Sequence, residues 1–247
     1  MTSAVTDIRT VFSRELRPTL RQPFTIIISM VQPLVFLGLF APLLPDTGGS
    51  ALQWFVPGIV VMSALFAASM TGSNLLMEAQ TGSHERSLVT PLRRSALLIG
   101  RALKEVVPIF AQAALIIAVS VPFGFRFDPL GAVLGMLILG TFSVGLGALS
   151  YSLALASKNQ DWLFWTVQQT VLFPLLLLAG MLLPIDGGPG WLRATARFNP
   201  LTYVVDAERA LFDGEVWAAT TVTGALAAVA VCALGLTVGV RAMRRDA

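Results

Sequence analysis

Apolar residues along this chain gather into runs too long for the core elements of a water-soluble domain. Six stand out, at roughly 24–44, 54–77, 103–124, 130–156, 163–184 and 216–240. Each is close to the roughly 20 residues that a helix needs to cross a bilayer's hydrocarbon core. Backbone groups in lipid must be satisfied internally, which apolar runs of this length achieve as helices. The pattern predicts an all-α integral membrane protein with six transmembrane helices, forming a single domain over 1–247. Composition agrees. Of 247 residues, 55% are hydrophobic and 13% charged, whereas a soluble domain carries about 25% charged residues.

The charges between the runs set an orientation. Arg9, Arg14, Arg17, Arg21, Arg86, Arg93, Arg94, Arg101, Lys104, Lys158, Arg241, Arg244 and Arg245 fall on one side. Only Arg126, Arg193, Arg197 and Arg209 fall on the other. Thirteen basic residues against four is the asymmetry that retains a side in the cytoplasm, so both termini are expected there. The basic balance is thus a topological signal, with anionic headgroups as partners and no nucleic acid. Trp54, Trp162, Trp165, Trp191 and Trp217 lie at or beyond predicted span ends, as amphipathic rings at the headgroup level should. The first run is too long for a signal-peptide core, and no convincing small-residue cleavage site follows Phe40. A single cysteine, Cys232, excludes an intrachain disulfide and a thiolate metal cluster.

Other segments carry their own periodicity. Val5, Ile8, Phe12 and Leu16 recur at helical spacing among Arg9, Arg14 and Arg17, which predicts an amphipathic helix lying on the inner surface, broken at Pro18 and Pro23. Gly131 with Gly135, Ser143 with Gly147, and Gly235 with Gly239 place small residues four apart. Such spacings let helices approach closely, first within one subunit and second across a dimer seam. The stretch 190–213 is too polar to span, yet Leu201, Val204, Val205, Ala207 and Leu211 keep helical period after the break at Asn199-Pro200. Two short outer helices re-entering the membrane fit this pattern, and a plain outer loop is the alternative.

Several kinds of chemistry are missing. One histidine, His84, excludes a multi-histidine metal site, and no phosphate-binding G-x-x-x-x-G-K-[ST] loop exists, so the chain is not itself expected to be a P-loop ATPase. The acidic residues all fall outside the predicted spans or at their edges, whereas ion-coupled carriers are built on carboxylates at membrane depth. The polar groups within spans are neutral: Asn74, Gln112, Gln168, Gln169 and Thr170. Asn74, Gln168, Gln169 and Thr170 are candidates either for a substrate path or for interhelical packing.

The connection between the second and third runs is unlike the others. It carries Glu78, Glu85, Arg86, Arg93 and Arg94, breaks at Gly82 and at Thr90-Pro91, and resumes helical pattern through Leu97, Leu98 and Arg101. This predicts a short cytoplasmic helix across the ends of the spans, offering charge to a partner. The pattern E-x-x-x-G-x-x-E-R-x-L-x-T-P-x-R-R-x-x-L-L-x-G-R from Glu78 to Arg101 resembles the permease subunits of ABC-2 type exporters, the daunorubicin-resistance branch above all. Asn199, Pro200, Tyr203, Asp206 and Arg209 resemble that family's second landmark. Glu208 departs from it, standing where an apolar residue is expected.

The resemblance implies a subunit of the bacterial plasma (inner) membrane that pairs with a second permease, identical or related. It implies two cytoplasmic ABC ATPase subunits that hold the ATP and magnesium, with no cofactor on this chain. The family's coupling helix lies between spans two and three, which assigns ATPase docking to Glu78, Gly82, Glu85, Arg86, Thr90, Pro91, Arg93 and Arg94. Family substrates include drugs, lipids and other amphiphiles. The alternatives are a secondary multidrug carrier, and a non-transporting membrane scaffold that docks a cytoplasmic partner.

Overall fold

The computed structural model describes residues 4–21, 28–43, 51–80, 94–157, 160–185 and 187–245. Every element among them is helical. Helix α1 spans Ala4–Arg21, α2 Val31–Phe40, α3 Ala51–Gln80, α4 Arg94–Ser120 and α5 Pro129–Ala156; α6 spans Asp161–Leu178, α7 Gly190–Ala196, α8 Pro200–Phe212 and α9 Ala219–Arg245. Four of these helices, α3, α4, α5 and α9, are long and apolar enough to cross a membrane. Six were expected. Within the first apolar run the described helix α2 has 10 residues, about 15 Å of rise, or half a bilayer's hydrocarbon core. Helix α6 stops at Leu178 rather than continuing to 184, because the chain turns at Gly180 with φ +67°. The apolar residues beyond it continue the hydropathy signal without continuing the helix.

Helix α5 is the centre of the bundle, packed against α3, α4, α8 and α9. Small residues make that possible. A Cβ on Gly235 of α9 would lie 2.0 Å from the Gly145 carbonyl oxygen of α5, and one on Gly131 of α5 only 1.8 Å from the Leu211 carbonyl oxygen of α8. The four-residue spacings are therefore packing seams inside one chain, where backbones touch because no side chain intervenes. Helix α9 buries only the stripe Thr221, Gly224, Ala228, Gly235, Gly239 and Met243, and leaves Val222, Leu226, Val229 and Leu234 outward. That outward face suits lipid.

Two expectations at the charged end need correction. Helix α1 runs through Pro18 to Arg21, since a proline near a helix end forfeits one backbone bond without stopping the helix. Its protein-facing side is Asp7, Val11 and Glu15, with Val11 completely buried where Gly100 of α4 leaves room for it. The expected apolar stripe is rotated away from that contact: Val5 is 74% exposed, while Ile8, Phe12 and Leu16 are half-buried. The second correction concerns Leu97, Leu98 and Arg101. They belong to no separate surface helix but to the first turns of α4, which is one continuous element of 27 residues. Leu97 and Leu98 are buried with Leu75, Leu76, Tyr151, Leu155 and Met243 in a second apolar cluster at this end of the bundle.

Candidate functional site

Arg101 lies at the junction of four helices, 5% exposed. Its guanidinium donates to Glu78 Oε2 of α3, donates to the Tyr151 hydroxyl of α5 at 3.1 Å, and stands 3.7 Å from Glu15 Oε1 of α1. The Tyr151 ring also lies under the cation, 5.8 Å from its carbon to the ring centroid. One turn along α4, the buried Glu105 accepts from Asn74 Nδ2 at 3.4 Å and pairs with Lys104 at 3.5 Å. Together with Thr71 and Leu75 these groups enclose a small cavity. A buried charge is tolerated only when paired and hydrogen-bonded, and arginine, with five donors in a fixed fork, can serve several partners at once. Arg101 thus ties α1, α3 and α5 to the start of α4.

The ion pair between Glu78 and Arg101 joins the first and last residues of the charged sequence pattern. The two helices that flank the connection, α3 and α4, are thus bonded directly to each other. Gly82, Glu85, Arg86, Thr90, Pro91 and Arg93 lie outside the described residues, and Arg94 begins α4. Asn74 of α3 belongs to the inner cluster through its bond to Glu105. Gln168 of α6 is buried, with Oε1 lacking a hydrogen-bond partner, whereas Gln169 and Thr170 are exposed on the other side of that helix. Gln112 donates to Ser29 Oγ at 2.6 Å.

The opposite end of the bundle holds a second polar clasp. Asn199 caps α8: its Oδ1 accepts from Leu201 N at 3.0 Å, and its Nδ2 donates to the Leu175 carbonyl of α6 at 2.7 Å. Pro200 occupies the first helical position, where its missing N–H is harmless. Tyr203 donates its hydroxyl proton to the Arg197 carbonyl at 2.8 Å. Arg209 pairs with Asp206 at 3.4 Å, donates to the carbonyls of Trp54 (3.1 Å) and Gly180 (2.8 Å), and stacks 4.1 Å over the Trp54 ring. These five residues fasten α8 to α3 and to the end of α6. Asn199→Ala should destabilise the chain by about 2 kcal/mol, about one for the cap and about one for the bond to Leu175. Asn199→Asp should recover the cap alone, and thermal unfolding in detergent would rank the three proteins.

Comparison with known proteins decides what kind of molecule carries these two clasps. The family described as ABC-2 type transporter matches residues 6–212, which takes in α1 through α8. The chain belongs to the ABC-2 type transporter family. A daunorubicin resistance ABC transporter permease protein, DrrB1 of Streptomyces coeruleorubidus, is 27% identical over 198 residues, covering 78% of this chain and 70% of that protein. A putative transport permease, ycf38 of Cyanophora paradoxa, is 31% identical over 207 residues, with 80% and 71% covered. A probable doxorubicin resistance permease protein, DrrC of Mycobacterium tuberculosis, is 25% identical over 201 residues, with 76% and 70% covered. The likeness to the drug-resistance branch expected from the charged pattern therefore holds.

As an ABC-2 permease the chain is a multi-pass membrane protein, and the family implies an ABC ATPase subunit as its partner. Within this permease, Glu15, Arg101, Lys104, Glu105 and Tyr151 form the inner cluster that sequence reasoning did not assemble. Arg101 and Lys104 count equally well as topology charges. One signal was available: the charged pattern begins on an acid and ends on a base. Tyr151 is one of two tyrosines in the chain and sits in an otherwise apolar run, a position that asks for a hydroxyl partner.

Proposed function

We propose that this permease is the transmembrane subunit of an ATP-driven exporter that moves an amphipathic or apolar substrate, such as a drug, lipid or glycolipid, outward across the bacterial plasma membrane. Segments around α2 and α6 complete six spans with both termini in the cytoplasm. Two permease subunits, identical or related, work with two ATPase subunits, which hold the ATP and magnesium. The ATPase docks on the connection from Glu78 to Arg94, and α7 and α8 re-enter the outer leaflet. The observation that carries this reading is the bond between Glu78 and Arg101, because it ties the two helices that the connection joins to each other and, through Arg101, to α1 and α5. A push delivered to the ends of α3 and α4 reaches α1 and α5 as well. The drug-resistance names of the relatives support the amphiphile class.

The test is co-expression with an ABC ATPase, followed by co-purification and ATP-dependent efflux. Glu85→Arg is expected to weaken ATPase recovery about tenfold, the effect of one lost charge pair near 1.4 kcal/mol, while the permease still reaches the membrane. Arg244→Glu, at the end of α9, should change recovery little. Unaltered recovery and efflux in Glu85→Arg and Arg86→Glu alike would remove the docking role from this connection.

A further inference from the structure

Glu208 is the residue at which the chain departs from the pattern of the outer clasp, and the structure buries it completely, 1% exposed. The carboxyl lies over Gly135 of α5: a Cβ there would come 2.3 Å from Glu208 Oε2 and 3.1 Å from Cδ. The glycine leaves a recess just large enough for the carboxyl. Oε1 has no hydrogen-bond partner. Glu208 lies outside every apolar run, as the acidic residues were expected to, yet its helix turns it into the packed protein.

The charged and titratable groups of the surrounding helices are directed elsewhere. On α8 itself, Asp206 pairs with Arg209, Arg209 turns to Trp54 and Gly180, and Tyr203 reaches Arg197. Asp128, at the head of α5, accepts from Gly131 N at 2.7 Å, and Tyr151, near its other end, holds Arg101. Helix α9 faces α8 with Gly224, which meets Ala207 and the Tyr203 carbonyl. Its Cys232 is packed on Gly145 further along, and Arg241, Arg244 and Arg245 stand at its far end. Helix α3 brings Trp54 and Gln53 to this level, with Gln53 bonded to Asp213, and its first acid is Glu78 at the inner cluster. Helix α6 has Asp161 at its far end, accepting from Gln80.

We propose that Glu208 is a proton-binding site that governs how tightly α8 is held in the bundle: with the proton bound the neutral carboxyl rests in the Gly135 recess, and on losing it the carboxylate draws α8 toward water. Proton transfer is to and from solvent, COOH to COO⁻ and H⁺, with no other group involved. Burial pushes this carboxyl from its ordinary 4.5 up to about 8, so the docked helix binds the proton more strongly than the released one. The linkage has a definite sign. Docking is at full strength below about pH 4.5, weakens as pH rises toward 8, and carries the whole cost of the buried charge above that.

The experiment uses the full chain in lipid nanodiscs, with Cys232→Ala and a reporter cysteine in place of Val205, which is fully buried on α8. Maleimide labelling is followed from pH 5.5 to 8.5, and each rate is divided by that of a Trp217→Cys control, 93% exposed in the native chain. The normalised rate is expected to rise about a hundredfold across this range with Glu208 present, and to stay low and flat in Glu208→Gln. Gly135→Ala, whose methyl group fills the recess, should label fast at every pH. A flat normalised rate with Glu208 present would overturn the proposal without any variant, and so would an equal rise in Glu208→Gln. The readout requires neither transport nor ATPase, so it stands or falls apart from the export reading.

Discussion

Arg101→Ala should be the most damaging single change to the charged end of the bundle. It removes the donor to Glu78 and Tyr151 and the cation beside Glu15, leaving two neighbouring carboxylates without their shared buried cation, although Glu15 keeps the half-exposed Arg14 at 2.9 Å. Breaking a buried pair from one side costs about 3–5 kcal/mol, because the partner stays buried and unpaired. Glu78 and Glu15 keep some contact with water, with 27% and 16% of their side chains exposed, so the low end of that range applies. Glu78→Gln should cost less, since Arg101 would retain Tyr151, Glu15 and an amide oxygen. Arg101→Lys should fall between, as one ammonium cannot reach three partners in different directions. A double-mutant cycle on Glu78 and Arg101 should give a coupling of about 1–3 kcal/mol. Thermal unfolding of the purified permease measures these values. ATPase turnover with and without export then separates loss of fold from loss of coupling, and an Arg101→Ala protein that melts and exports like the native one would remove the junction from both.

The parts legible in the sequence were those that depend on one helix at a time. The lengths of α3, α5 and α9 follow from apolar runs, because a span's length is set by the bilayer rather than by its neighbours. The two helices α7 and α8 follow from Asn199-Pro200, where a cap and a first-turn proline mark a start whatever packs around them. What was not legible depends on pairs. Nothing in the run around Arg101 distinguishes a charge left in the cytoplasm from one clasped by Glu78, Glu15 and Tyr151, since those partners are 23, 86 and 50 positions away. The end of α6 was overextended because Met181, Leu182 and Leu183 are as apolar as the helix, while the turn is set by the backbone of Gly180. The burial of Glu208 was not legible for a related reason. Its helix is amphipathic, and only the absent side chain at Gly135 makes the inward position habitable for a carboxyl.

The same absence of side chains makes the seam between α5 and α9 the most sensitive place in the apolar part of the molecule. Gly235→Ala puts a methyl carbon 2.0 Å from the Gly145 carbonyl oxygen, 2.7 Å from its carbonyl carbon and 2.9 Å from its Cα. All three are backbone atoms in the middle of a long helix, so no rotamer change relieves the contact. Ordinary carbon contacts lie at about 3.5–4.0 Å, and the two helices must separate by roughly an ångström or more to restore them. Separation also unseats Gly145, which rests against Cys232 and the Val231 carbonyl, and in lipid no hydrophobic gain compensates for lost packing. Overpacking of this kind costs about 1–3 kcal/mol and more where the surroundings cannot give way. Gly131→Ala meets the Leu211 carbonyl oxygen at 1.8 Å, but Leu211 is next to the last residue of the short α8, which can tilt, so its cost should be lower than the distance suggests. A methyl group on Gly38 of α2 would meet nothing within 4 Å, and Gly38→Ala should be neutral or stabilising by up to about 1 kcal/mol from helix propensity alone. Melting temperatures should therefore fall most for Gly235→Ala, less for Gly131→Ala and not at all for Gly38→Ala. A Gly235→Ala protein as stable as the Gly38→Ala control would mean that α5 and α9 do not meet at backbone contact.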